Sequence, residues 1–157
     1  MNLLQPPLHP LLVHAAVVFI PLAALAAIGF ALRPDWRWVL RWPTAMLNAL
    51  AIPTLFITRM TGDQLAHATT DNHDLIEKHD QMAGLLTIVG LPMMALALYA
   101  TWAFASTSPL PSGRGSRTAR HPSLAALVRW VLVLLGLATL VATVLTGHSG
   151  ATAVWKG

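Results

Sequence analysis

Leu8-His9-Pro10-Leu11-Leu12-Val13-His14 decides how this chain is read, because two histidines open a helix that is otherwise apolar. From Leu11 to Leu32 no residue carries a formal charge. At ~1.5 Å per residue that run reaches roughly 33 Å, enough to cross a bilayer. His14 lies inside it, about 7.5 Å along the axis from His9. An ionisable side chain at that depth needs a partner, because lipid offers none.

Working outward, the 157 residues suit a single domain, and they are 55% hydrophobic and only 10% charged. With a mean hydropathy of +0.61 this is the composition of an integral membrane protein. The absence of cysteine excludes disulfides, thiolate metal sites, iron–sulfur clusters and covalent c-type haem. Any metal would be held by nitrogen, oxygen or thioether. The pI of 10.8 invites a nucleic-acid reading. Charge placement argues against it: Arg33, Arg37, Arg41, Arg114, Arg117, Arg120 and Arg129 fall in two connections between apolar runs. That is the positive-inside pattern, and nucleic acid is not an expected partner. The first positive side chain, Arg33, follows the first apolar run, so a cleaved signal with a positive start is not expected.

Four apolar runs predict membrane helices at about 10–32, 39–60, 81–104 and 124–147. The expected fold is all-α, an integral membrane four-helix bundle forming one domain over 1–157. Ser106 to Pro122, rich in Ser, Pro, Gly and Arg, reads as a flexible connection, and Thr61–Asp80 as a loop. Seven of the ten Lys and Arg lie on the face of the first and third connections, which is therefore expected to be cytoplasmic, in a bacterial inner membrane. Both termini are then expected on the periplasmic side, with His9, His14, His67, His73, His79 and His148 at or near that face.

The ends of the second and fourth runs repeat without a gap. Thr54-x3-Thr58-x2-Thr61-Gly62 returns as Thr139-x3-Thr143-x2-Thr146-Gly147. Spacings of four and three keep each set on one helical face. The bundle therefore reads as two pseudo-repeated helical hairpins, related by an axis along the membrane normal. In this alignment Asp63 matches His148, and His14 and His79 become a symmetric pair facing each other across the bundle.

His14 carries the strongest signal, since intramembrane ionisable groups are rare and usually functional. His79 opens the third helix, with Ala83 and Gly84 one turn on, small enough for a flat cofactor or another helix to approach. His148 sits in Gly147-His148-Ser149-Gly150, at the level where His9 and His14 begin their helix. His73-x3-Glu77-x-His79 has metal-like spacing, but acids at a helix start more often complement the helix dipole. Arg59 is placed to snorkel or to meet a carboxylate or propionate.

His9-Pro10-x3-His14, Thr61-Gly62, His79 and Gly147-His148-x-Gly150 together resemble a bacterial family of four-helix membrane proteins of unknown function. That family has N-terminal His-Pro-x3-His and C-terminal Gly-His-x-Gly signatures. The resemblance spans nearly the whole chain and implies a redox association, since relatives stand beside cytochrome and Rieske-type modules. It assigns no reaction.

The first expectation is a membrane haem-binding, b-type cytochrome-like electron-transfer protein, with its site near the periplasmic face. Neutral imidazole ligates haem iron without adding charge to lipid. His14 and His79 are the expected axial ligands, and His148 and His9 would orient propionates or relay protons. Arg59 would neutralise a propionate, and quinol or a periplasmic redox protein would be the partner. No catalytic residue is expected: this reads as an electron carrier or redox subunit rather than a stand-alone enzyme. A homo-oligomer stays open. The alternatives are a histidine-ligated copper, zinc or iron site for metal handling, and a purely structural membrane subunit.

Overall fold

The computed structural model describes the backbone of residues 8–68 and 73–155, and the side chains of 12–64 and 74–152. Four helices form: α1 (Leu8–Leu32), α2 (Arg37–Ala68), α3 (His73–Ala103) and α4 (Ala125–Trp155). Short 3-10 turns, Pro34–Trp36 and Pro122–Leu124, lead into α2 and α4. Each starts on proline, whose missing N–H would have had no helical acceptor anyway. Among the described residues no strand forms beyond an isolated bridge between Ser106 and Arg117.

The helices outrun the apolar stretches at the histidine-rich end. Thr61–Asp80, expected as a loop, is mostly helix, because α2 continues to Ala68 and α3 begins at His73. Asp74 in the first turn of α3 complements the helix dipole there. Hydropathy marks where a helix can meet lipid, not where its backbone stops coiling.

α1, α3 and α4 are long and apolar enough to cross a membrane. α2 falls short by composition, since Pro43, Thr44, Asn48, Pro53 and Thr54 interrupt its apolar run. It still packs fully into the bundle, between α1 and α3. The ring order is α1–α2–α3–α4, with α4 closing onto α1; α1 and α3 touch across the centre, whereas α2 and α4 do not meet. Small residues let the backbones approach: Ala23, Ala24, Ala27, Ala51 and Ala97 are fully buried, around Met93, Met94 and Leu132. Gly136 marks the tightest contact, where an added Cβ would stand 2.7 Å from Ile28 Cγ1. The outward faces carry Leu25, Leu134, Ile88 and Val144, an apolar belt for lipid.

The two hairpins repeat, in a register one turn from the gapless threonine match. Ile20–Leu32 of α1 and Gly90–Trp102 of α3 share the same succession of buried, half-buried and exposed positions at every step. On α2 and α4, Thr44, Asn48 and Ala51 are buried where Leu132, Gly136 and Thr139 are. Arg41-Trp42 then matches Arg129-Trp130. Hydrogen bonds obey the same register: Thr58 Oγ1 donates to Leu12 O (3.4 Å) and Thr146 Oγ1 to Met82 O (3.0 Å).

The connection from Ser106 to Pro122, expected to be flexible, is folded back over the arginine-rich end. Ser106 and Arg117 exchange both backbone bonds (3.0 and 2.8 Å), and Ser106 Oγ donates to Gly115 O (2.7 Å). Gly115 takes φ +93° as its backbone crosses Trp38, a conformation that would strain a side-chain-bearing residue. Arg41 ties this cap to the bundle, donating to Ser106 Oγ (3.1 Å), Phe104 O (3.0 Å) and Thr101 O. Composition alone could not reveal that tether.

Candidate functional site

The site is the end of the bundle opposite the arginines, where α1 and α3 begin and α2 and α4 run out. Buried Ile20, Leu86, Thr139 and Ala142 fill the interior below it. Anything larger than a water must therefore bind at the rim or on a flank, not along the bundle axis.

His79 is half-buried at the seam between α3 and α4. Its Nδ1 lies 3.1 Å from Ser149 Oγ, which donates onward to Thr146 O (2.9 Å). The ring rests on Gly150, where an added Cβ would stand 3.0 Å from Cε1. Glycine there is a matter of space rather than of helix capping, since α4 continues past it to Trp155. Thr146 shares its one hydroxyl proton between Met82 O (3.0 Å) and Ala142 O of its own helix (2.8 Å), and the first contact stitches α4 to α3. A histidine held through one ring nitrogen by an oriented hydroxyl has a fixed ring plane, the way ligating histidines are set by their outer partners.

Arg59 lies on the other side of α3. It pairs with Asp80 at 3.2 Å, donates to Asp80 O at 3.5 Å, and lies over Gly84. Sequence reasoning missed this pair, whose members lie on different helices and meet only once α2 packs on α3. Both side chains are partly exposed, so the bond is exchangeable rather than locked. Beside Arg59, a groove of about 250 Å³ opens between α2 and α3, lined by Leu55, Phe56, Met60 and Thr87. Glu77 accepts from Gln81 one turn on (3.3 Å), an ordinary helix-face contact.

His14 is placed differently from its expected role. It is exposed, on the same face of α1 as Val17, Val18 and Leu25, and points away from the bundle axis. It does not look across the centre at His79. The twofold register explains why: His79 is matched on α1 by position 9, and His14 is matched on α3 by Gly84. His148 is likewise exposed, on α4. The backbone of His9 and His67 is helical, and His73 begins α3, but these three side chains lie outside the described residues. Among the described residues no three His, Asp or Glu side chains converge as a metal site would require.

Of the described residues, His79 could ligate a haem iron or a bare metal ion, while Arg59, on the other side of α3, could pair with an anionic group at its own groove. A haem on His79 would lie against the flank, because the packed interior leaves it no slot.

A family model described as "Predicted membrane protein (DUF2231)" matches residues 5–157 of this chain. No curated protein and no solved structure matches it.

Proposed function

The chain belongs to the DUF2231 family of predicted membrane proteins, and from that premise we propose that it is a haem b-binding electron-transfer protein whose site is the histidine-rich rim. The observation that carries the reading is the His79 ring, fixed by Ser149 Oγ at 3.1 Å at the junction of two membrane helices. A neutral imidazole of set orientation is what an axial ligand at a membrane boundary requires. Bound haem would supply one-electron redox chemistry. The chain's own residues would supply the ligand His79 and the apolar flank against which the group lies. A second ligand would come from α1, where His9 is the twofold counterpart of His79; His14, on the outward face, points away from that ring. His148, exposed at the same level, would meet a propionate or a proton.

The arginine-rich end faces the cytoplasm in this reading, which puts the histidines and both termini in the periplasm of a bacterial inner membrane. Electrons then enter and leave at one surface, through a quinol or a periplasmic redox protein. His121, the lone histidine at the other end, stacks on Tyr99 at 6.2 Å between centroids and offers no second haem station.

The test is an optical spectrum of the purified protein after haem-supplemented expression, with metal analysis of the same sample. The expected result is a Soret band that sharpens on reduction and is lost in His79→Ala. Loss in only one of His14→Ala and His9→Ala identifies the second ligand. No Soret band in the wild type overturns the proposal. A stoichiometric copper or zinc content in its place favours the bare-ion alternative.

A further inference from the structure

The opposite end of the bundle has seven arginines and a single carboxylate, Asp35. Among the described residues the one ion pair is Arg59–Asp80, at the other end, so none of the seven is neutralised by a side chain. They are also crowded: Arg129 and Arg41 lie close enough for their charges to act on Arg37, and Arg117 on Arg41.

Two of these charges are accounted for by helix ends. The last carbonyls of a helix lack intrahelical donors and carry its negative pole. Arg37 donates to Phe30 O and Ala31 O, both at 3.1 Å, at the end of α1, with its guanidinium carbon 4.6 Å from the Phe104 ring centre. Arg41 does the same at the end of α3, through Thr101 O and Phe104 O.

Arg129 is the twofold counterpart of Arg41. The carbonyl it should cap is that of Ala31, the counterpart of Thr101. Arg37 already occupies that carbonyl, so the symmetry breaks at this point and Arg129 is left over. Among the described residues its Nε, like that of Arg41, is buried with no hydrogen-bond partner, and its guanidinium has one ring contact, 5.6 Å from the Trp130 centroid. Exposed Trp130 and Trp36 stand at the same end, as residues of a headgroup boundary do. The accessible part of this half-buried guanidinium, beside a like charge, is where an acceptor from outside the chain could bind.

We propose that Arg129, backed by Arg37, is a binding site for the phosphate group of an anionic phospholipid in the adjacent leaflet. A phosphodiester presents two oxygens to the planar guanidinium fork, and its charge offsets both arginines. The site is independent of the haem reading, which concerns the other end of the bundle.

The test uses the full-length protein in nanodiscs of phosphatidylcholine with a minor share of phosphatidylglycerol. Native mass spectrometry reads which lipid stays attached. Wild type and Arg114→Gln, a control in the exposed cap, should retain phosphatidylglycerol over phosphatidylcholine. Arg129→Gln should lose that preference by about fivefold, the weight of one basic side chain at an anionic surface. Arg129→Lys, which keeps the charge but not the fork, should fall between the two, and it tests the site if Arg129→Gln folds poorly. Equal retention of both lipids by wild type, or an undiminished preference in Arg129→Gln with Arg129→Lys unchanged, overturns the proposal. Inorganic phosphate in phosphatidylcholine nanodiscs separates the sources. Displacement of bound phosphatidylglycerol by millimolar phosphate supports one shared site, whereas phosphate binding without any lipid preference overturns the lipid assignment.

Discussion

Thr58 and Thr146 make the same contact in opposite halves of the bundle. Each hydroxyl reaches from the second helix of its hairpin to a carbonyl in the first, Leu12 O at 3.4 Å and Met82 O at 3.0 Å. Such bonds between membrane helices are worth about 0.6 kcal/mol on average. Thr146→Val should cost roughly that much, and Thr58→Val less because its bond is longer. Thermal unfolding of both variants in one detergent gives the order; a larger loss for Thr58→Val would contradict the distances.

Gly136 is where α4 comes nearest α1. A methyl there would stand 2.7 Å from Ile28 Cγ1 and 3.0 Å from its Cδ1, so Gly136→Ala must displace Ile28 or part the helices. Overpacking of this kind typically costs about 1–3 kcal/mol. Gly136→Ala should be destabilised, and adding Ile28→Ala should recover much of the loss. If the two losses simply add, or the double variant is worse than their sum, the contact is not the cause.

Arg41 holds the cap over the arginine-rich end. Its bonds to Thr101 O, Phe104 O and Ser106 Oγ join α2 to α3 and to the connection. Hydrogen bonds to a charged group contribute about 1.5–3 kcal/mol. Arg41→Met should release residues 105–121. Trypsin would cut the wild type after exposed Arg114 and spare Arg117, which is bonded to Ser106; the variant should be cut at both. Unchanged cleavage would mean that the Ser106–Arg117 bridge holds itself.

The four helices were legible because apolar runs of bilayer length with at most two charges admit few other readings. The order of the 105–121 cap was not, because Arg41, more than sixty residues away, supplies it. The twofold was visible but one turn out of step. A Thr-x3-Thr-x2-Thr pattern still sets a threonine on a threonine when slid by a turn, and burial with the Thr58 and Thr146 bonds fixes the register. The pairing of His14 with His79 rested on each opening its helix, whereas the burial register makes position 9 the counterpart of His79. The outward face of His14 depends on how α1 is rotated in the bundle, which its nearly uniform apolar surface does not reveal.

Asn48 is the polar group deepest in the bundle that lacks full satisfaction. Its Nδ2 donates to Thr44 O (2.9 Å) and Ala23 O (3.3 Å), while Oδ1 is buried with no partner among the described residues. Replacing both its donor and its unpaired acceptor with apolar volume should be close to neutral. Asn48→Leu is expected within about 1 kcal/mol of wild type. Asn48→Asp, which buries charge, should be strongly destabilised at neutral pH and recover toward low pH. Equal losses in both would show that shape, not polarity, governs the position.

Ser149 supplies the sharpest test of whether the His79 ring is set for ligation. Its hydroxyl is 3.1 Å from Nδ1 and is itself fixed by donation to Thr146 O. If His79 ligates haem, Ser149→Ala keeps the ligand but frees the ring plane. Outer partners of this kind are typically worth 10–100-fold in affinity. Ser149→Ala should therefore retain a Soret band while releasing haem to apomyoglobin about 10–100 times faster than wild type. Gly150→Ala acts on the same ring from another direction, since its methyl would stand 3.0 Å from Cε1 and push the imidazole off Ser149. The two variants should shift the spectrum alike, and the double variant should be little worse than either single. Haem release at the wild-type rate in both, with binding still lost in His79→Ala, would show that the hydroxyl packs the helices and does not orient the ligand.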